Sequence, residues 1–142
     1  MSPNQLFSIA NFAALCCWLL LAFLPGRKWV SKVVAGVAVP GVLAALYTVI
    51  IAVKFPGAEG GFSSLPDVAL LFSDPWLLLA GWTHYLAFDL LVGNWEARDS
   101  RERHIPHWLL LPCLVLTLLF GPAGWLLYLG VRSRFLPGGT GR

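Results

Sequence analysis

The stretch Gln5-Leu6-Phe7-Ser8-Ile9-Ala10-Asn11-Phe12-Ala13-Ala14-Leu15-Cys16-Cys17-Trp18-Leu19-Leu20-Leu21-Ala22-Phe23-Leu24 carries no charge. Its length matches the roughly 20 residues a helix needs to cross a bilayer. Pro25-Gly26 stops it, and Arg27 and Lys28 follow. Three more apolar segments lie downstream, at about 33–53, 75–92 and 106–131. Together they predict an all-α integral membrane bundle of four transmembrane helices. It forms one domain over residues 1–131, with a flexible Gly-rich tail at 132–142.

Composition agrees. The 142 residues are 58% hydrophobic and 12% charged, and the mean hydropathy is +0.73. Soluble domains carry about 25% charged residues, and a soluble globule of this size could not hide so much apolar surface. The net charge of +3 comes from basic residues flanking apolar segments. That pattern points to headgroup contact and membrane orientation, not to nucleic acid. Cys16, Cys17 and Cys113 all lie inside apolar segments, which predicts reduced thiols and no disulfide framework. The N-terminus has neither a basic n-region nor an Arg- and Ser-rich transit segment, so the first helix is expected to be retained.

Punctuation refines the segments. Pro40-Gly41 is expected to kink the second. The stretch 54–74 is Gly- and Ser-rich, but its part from Leu65 to Phe72 is apolar enough for a short re-entrant or interfacial helix capped by Ser63 or Ser64. Residues 94–104 read as a charged loop. Pro112 and Gly121-Pro122 interrupt the fourth segment. Trp29, Trp76, Trp95 and Trp108 fall near span ends, as an aromatic belt requires. Four spans place both termini on one side. The loops at 27–32 and 94–104 hold six Lys/Arg, against four elsewhere, so the expected orientation puts those loops in the cytoplasm.

Ionisable groups within a spanning helix are functional candidates. The third segment has two, His84 and Asp89. Five residues apart, they point some 140° from one another, so they line two walls of a pocket more naturally than they form a direct dyad. Tyr85 and Asp89 share a face. Thr117 is expected at nearly the depth of His84, and Asn11 at that of Tyr47. The structural alternatives are an anchor between Asp89 and Arg98 or Arg101, and one interhelical hydrogen bond for His84. His104 and His107 lack a complete metal-ligand set. No nucleophile elbow, phosphate-binding glycine loop, HExxH or CxxC occurs, which leaves acid–base chemistry on a hydrophobic substrate without cofactor or metal.

The runs Gly60-Gly61-Phe62-Ser63-Ser64-Leu65, Leu79-Ala80-Gly81-Trp82-Thr83-His84-Tyr85-Leu86-Ala87-Phe88-Asp89-Leu90, Gly93-Asn94-Trp95-Glu96, Arg98-Asp99, Ile105-Pro106-His107 and Gly121-Pro122-Ala123-Gly124 resemble the abscisic-acid-deficient-4-like family. Plant members are plastid membrane proteins needed to make neoxanthin from violaxanthin. The resemblance therefore implies a carotenoid-related role, and the missing transit segment implies a bacterial relative in the cytoplasmic membrane. Turning an epoxide into an allene and an alcohol is an isomerisation that needs one acid and one base. Asp89 and His84 could divide those roles, since burial disfavours the charged form of each. Trp82, Tyr85, Thr117 and Phe62 are the substrate-binding candidates. A carotenoid-like substrate and membrane lipid are the expected partners, with a second copy or another membrane enzyme in addition. The alternative is a non-catalytic pigment- or lipid-binding subunit, or a scaffold. A small transporter is disfavoured, because the first helix offers only Asn11.

Overall fold

The structure is a computed structural model that describes residues 1–24, 27–30 and 36–135. The expected Pro25-Gly26 stop, the start of the second segment and the tail beyond residue 135 lie outside the described residues. Six α-helices and no strand occur among the described residues: α1 (Pro3–Phe23), α2 (Val39–Lys54), α3 (Leu65–Leu71), α4 (Pro75–Glu102), α5 (His107–Phe120) and α6 (Pro122–Arg132). Three helical stretches are long and apolar enough to cross a membrane: Pro3–Phe23, Gly36–Gly57 and Pro75–Glu102.

Local chemistry sets the helix starts. Ser2 and Gln5 form a reciprocal capping box, with the Ser2 hydroxyl accepting from the Gln5 amide and the Gln5 side chain accepting from the Ser2 amide. Ser64 accepts from the Asp67 amide and starts α3 as expected. Asp74 accepts from the amides of Trp76 and Leu77, and Pro75 occupies the first turn of α4. Pro40 lies in the first turn of α2, after a π-helical turn at 36–38. That wider turn accommodates a residue that has no N–H to give to the preceding turn.

The α4 helix is the axis of the fold. The α1 helix runs parallel to it: Trp82 contacts Phe7 and Asn11, and the buried Trp18 ring lies against Gly93, leaving no room there for a Cβ. The α2 helix runs antiparallel, with Tyr47 at His84, Ile50 packed with Leu79 and Ala80, and Lys54 over Trp76. Asn11 and Tyr47 therefore each meet α4. They do not form the polar zone between the first two helices that their expected depths implied.

Two expectations need correcting. The third segment does not end at Val92: α4 continues to Glu102, because Gly93 alone does not break it and the polar residues that follow are buried against other helices. Asn94, Glu96, Asp99 and Ser100 are all buried. The turn comes at His104, which takes a left-handed φ of 54°, while the Ile105 amide reaches back to the Ser100 carbonyl.

The fourth segment is not one span. At Gly121 the backbone adopts φ 32°, and Pro122 starts a new helix. The α5 helix has 14 residues and α6 has 11. At 1.5 Å per residue these are about 21 Å and about 16 Å, both short of a hydrocarbon core about 30 Å thick. The chain turns back on itself, so that Arg132 meets Asp99 and the Phe135 carbonyl meets Arg103. Thr117 consequently lies beside Glu96, not at the depth of His84.

This hairpin changes the charge count. The end of the bundle holding the C-termini of α1, α4 and α6 carries Arg27, Lys28, Arg98, Arg101, Arg103, Arg132 and Arg134, and Lys54 is the cation at the other end among the described residues. By the positive-inside rule, the expected orientation has the C-terminal end in the cytoplasm and the N-terminus outside. In a variant lacking Cys16, Cys17 and Cys113, cysteines placed at the exposed Ser133 and Ser64 are expected to react from opposite sides, Ser133→Cys from the cytoplasm. Labelling of both from one side is the signature of four full spans.

Candidate functional site

The helical period of α4 sends its polar side chains to two different surroundings. On the side toward α2 and α3, the His84 ring sits 5.6 Å from Tyr47 and 4.6 Å from Phe88 between ring centres. It borders a cavity of about 190 Å³ that Tyr47, Phe62, Phe72 and Gly81 also line. Phe62 stacks on Phe55. The loop that carries it is tied down by a hydrogen bond from the Gly61 amide to the Asp67 carbonyl, at 3.2 Å. Gly60, at φ 86°, packs so closely on the backbone of α3 that a side chain would not fit. This is an apolar, aromatic cavity with one imidazole at its rim.

Asp89 faces the hairpin. Its carboxylate lies against Gly121, where an added Cβ would come within 2.8 Å of Oδ1. Its Oδ2 is buried and has no hydrogen-bond partner among the described residues. The ion pair with Arg98 or Arg101 that the sequence allowed is not formed. Tyr85, one turn earlier, donates its hydroxyl to the Leu118 carbonyl at 3.2 Å. Gly121 ends α5 and begins α6, so Asp89 stands at the amino end of α6, where the helix dipole favours a negative group.

Two turns further along α4, on nearly the same face, Glu96 is fully buried. The Thr117 hydroxyl donates to its two carboxylate oxygens at 3.0 and 3.2 Å. Gly124 makes this possible, since a Cβ there would collide with Thr117. One turn beyond, Asp99 accepts from the Tyr128 hydroxyl at 2.7 Å, from Arg132 at 2.8 and 3.1 Å, and from Arg103 at 3.1 Å.

Of the candidates named from sequence, His84 and Phe62 come together at the outer cavity. Asp89, Tyr85 and Thr117 come together at the hairpin. Trp82 belongs to a third place, donating to Asn11 at 3.1 Å and packing on Phe7 and Tyr85. Asp89 is not among the residues that line the cavity at His84. Glu96 and Asp99 escaped the sequence reading because α4 was ended too early. Tyr85, Asp89, Glu96, Asp99 and Arg103 follow a helical stripe that a continuous helix would have displayed. Among the described residues, no group of three or more His, Cys, Asp or Glu could hold a metal ion.

The chain matches the ABA DEFICIENT 4-like family over residues 5–128. It belongs to that family. The match runs from the first turn of α1 into α6, so the bend at Gly121 and the three carboxylates Asp89, Glu96 and Asp99 lie within it. No curated protein and no solved structure matches the chain. Membership and the three apolar helices make this ABA4-like chain a carotenoid-related membrane protein.

The Asp99 cluster gives a direct test of how the ABA4-like hairpin is held. Asp99→Asn keeps the shape but removes the charge that binds two guanidinium groups. It is expected to lower stability by on the order of 1–3 kcal/mol, read as a lower melting temperature in detergent. Arg98→Gln, at an exposed position, is expected to leave melting unchanged within about 0.5 kcal/mol.

Proposed function

We propose that this protein acts on a carotenoid or related polyene within a bacterial cytoplasmic membrane, as a cofactor-independent isomerase. The observation that carries this reading is the half-buried Asp89 at the hairpin turn, whose Oδ2 is buried with no hydrogen-bond partner and no cation paired with it among the described residues. A carboxyl group in a spanning helix is costly to keep without a use.

The chemistry of the family resemblance fits such a group. A carbon–hydrogen bond of the polyene breaks, and its electron pair forms the new cumulated double bond. The adjacent carbon–oxygen bond of the epoxide breaks in turn, and the oxygen takes a proton to become a hydroxyl. Nothing is oxidised or reduced, and one proton leaves as one arrives. Asp89 is the base in this scheme. Trp82 and Tyr85, in ring contact at 5.3 Å, offer flat surfaces for a polyene that enters sideways from the lipid. The cavity at His84 favours a second reading, in which the chain holds pigment for another enzyme and His84 and Phe62 grip one end of it.

Pigment analysis of a host that expresses this chain alone with candidate epoxycarotenoids separates the two readings. Asp89→Asn is expected to cut conversion by about 10²–10⁴-fold while expression, insertion and melting stay close to wild type. His84→Gln is expected to weaken pigment retention more than turnover. Wild-type conversion by Asp89→Asn would remove the catalytic reading and leave the pigment-holding one.

A further inference from the structure

We infer that Tyr85 is the acid that complements Asp89, giving its phenolic proton to the substrate oxygen and regaining it from Asp89. This rests on the catalytic reading of Asp89 given above.

One face of α4 leads to both groups. Pro75, Leu78, Trp82, Tyr85 and Asp89 follow one another at spacings of three or four residues, the repeat of a single helix face. The outer part of that face, with Pro3 and Phe7 of α1, lines a cavity of about 210 Å³. Phe7, Leu78 and Trp82 are exposed, so the cavity opens toward lipid. The Phe7, Trp82 and Tyr85 rings stand in sequence, at 5.5 and 5.3 Å between centres. An apolar chain entering along this aromatic run is led to the Tyr85 hydroxyl. Asp89 lies one turn further, about 6 Å along the axis.

The hairpin holds the two groups together. The Tyr85 hydroxyl interacts with the Asp89 carboxylate, and it donates to the Leu118 carbonyl at 3.2 Å. In an unbroken helix that carbonyl would accept from residue 122, but Pro122 has no N–H to give. The break at Gly121-Pro122 therefore supplies the acceptor that keeps the phenol beside Asp89. The Asp89 Oδ2 remains without a partner, and no cation pairs with the carboxylate among the described residues.

The protons balance within this pair. Asp89, as carboxylate, takes the proton from carbon, and the electron pair of that bond forms the new cumulated double bond. The carbon–oxygen bond of the epoxide breaks toward oxygen, which takes the Tyr85 proton and becomes a hydroxyl. A phenolate then faces a carboxylic acid. The carboxylic acid is much the stronger acid of the two, so the proton passes from Asp89 to Tyr85 and both groups return to their starting forms. Nothing is oxidised or reduced, and no further reactant enters.

The test uses the whole chain in nanodiscs with a purified epoxycarotenoid. Tyr85→Phe keeps the ring but has no proton to give. Its kcat is expected to fall by about 10²–10⁴-fold with KM little changed. That variant also uncovers the Leu118 carbonyl, so a second one keeps the hydroxyl: replacing Tyr85 by trifluorotyrosine makes the phenol a stronger acid. A general acid works only while it is protonated. The alkaline limb of the kcat profile is therefore expected to move to lower pH, whereas a residue that only caps a carbonyl would leave it in place. Wild-type kcat in Tyr85→Phe, or an alkaline limb unmoved by trifluorotyrosine, overturns the assignment of Tyr85. The fluorinated chain decides if Tyr85→Phe does not fold. If Asp89→Asn is inactive in the same assay, the isomerase reading then stands with another acid. If Asp89→Asn converts at the wild-type rate, that reading falls and the Tyr85 assignment with it.

Discussion

The Asp99 carboxylate is the knot that ties the chain into its shape. It binds Arg103 on its own helix, and Arg132 and Tyr128 on α6, and so fixes where the returning helix must lie. Arg132 also rests over the Trp95 ring, and Trp95 meets Tyr128 edge-on. Arg103 reaches the Phe135 carbonyl at 2.9 Å. Once α6 is held there, the length of α5 and the bend at Gly121 determine what the hairpin tip can touch, which is the middle of α4. A lone pair of this kind at a surface is worth little. Here one carboxylate saturates its acceptor sites with three side chains, two of them charged, at a nearly dry position.

Lipid offers a broken helix no water to satisfy its backbone, so an interruption at membrane depth has to be covered by protein. The hairpin meets that demand locally. The Gly121 amide bonds to Thr117, the Trp125 amide bonds to Gly121, and the Leu118 carbonyl receives the Tyr85 hydroxyl. The lipid-facing side of the hairpin remains apolar, with Phe120, Trp125 and Leu126 exposed. The polar groups thus gather on the single face that meets α4, leaving the acidic stripe sealed between α4 and its own chain.

Much of this was legible in the amino-acid sequence, and the misreadings share one cause. Apolar length alone identified α1, α2 and the first two-thirds of α4, because bilayer thickness sets that signal directly. Ser64 and Pro75 marked helix starts by local chemistry. Hydropathy misled in two places. It ended α4 at the first charged residues, although Glu96 and Asp99 point inward and the helix has no reason to stop before His104. It also fused α5 and α6 into one span, since two short apolar helices and one long one have the same composition. Gly121-Pro122 was visible as an interruption, but whether a break kinks a helix or reverses it depends on a contact between two residues 33 apart in the chain, Asp99 and Arg132. The site followed suit. Asp89 was found as a charge out of place, whereas Glu96 became visible only when the hairpin was in view.

The return of α6 also bears on how the protein is made. Translation runs from the N-terminus, so α1, α2 and α4 are complete before Arg132 leaves the ribosome, and until then Asp99 has only Arg103. Neither α5 nor α6 is long enough to lodge across the bilayer alone, so they enter as a pair or not at all. The closing contact of the fold is thus made only after α1, α2 and α4 have been synthesised, and a chain cut off before Tyr128 would leave an acidic stripe open to lipid. In such a protein, the interior stays open until the helix that closes it has returned.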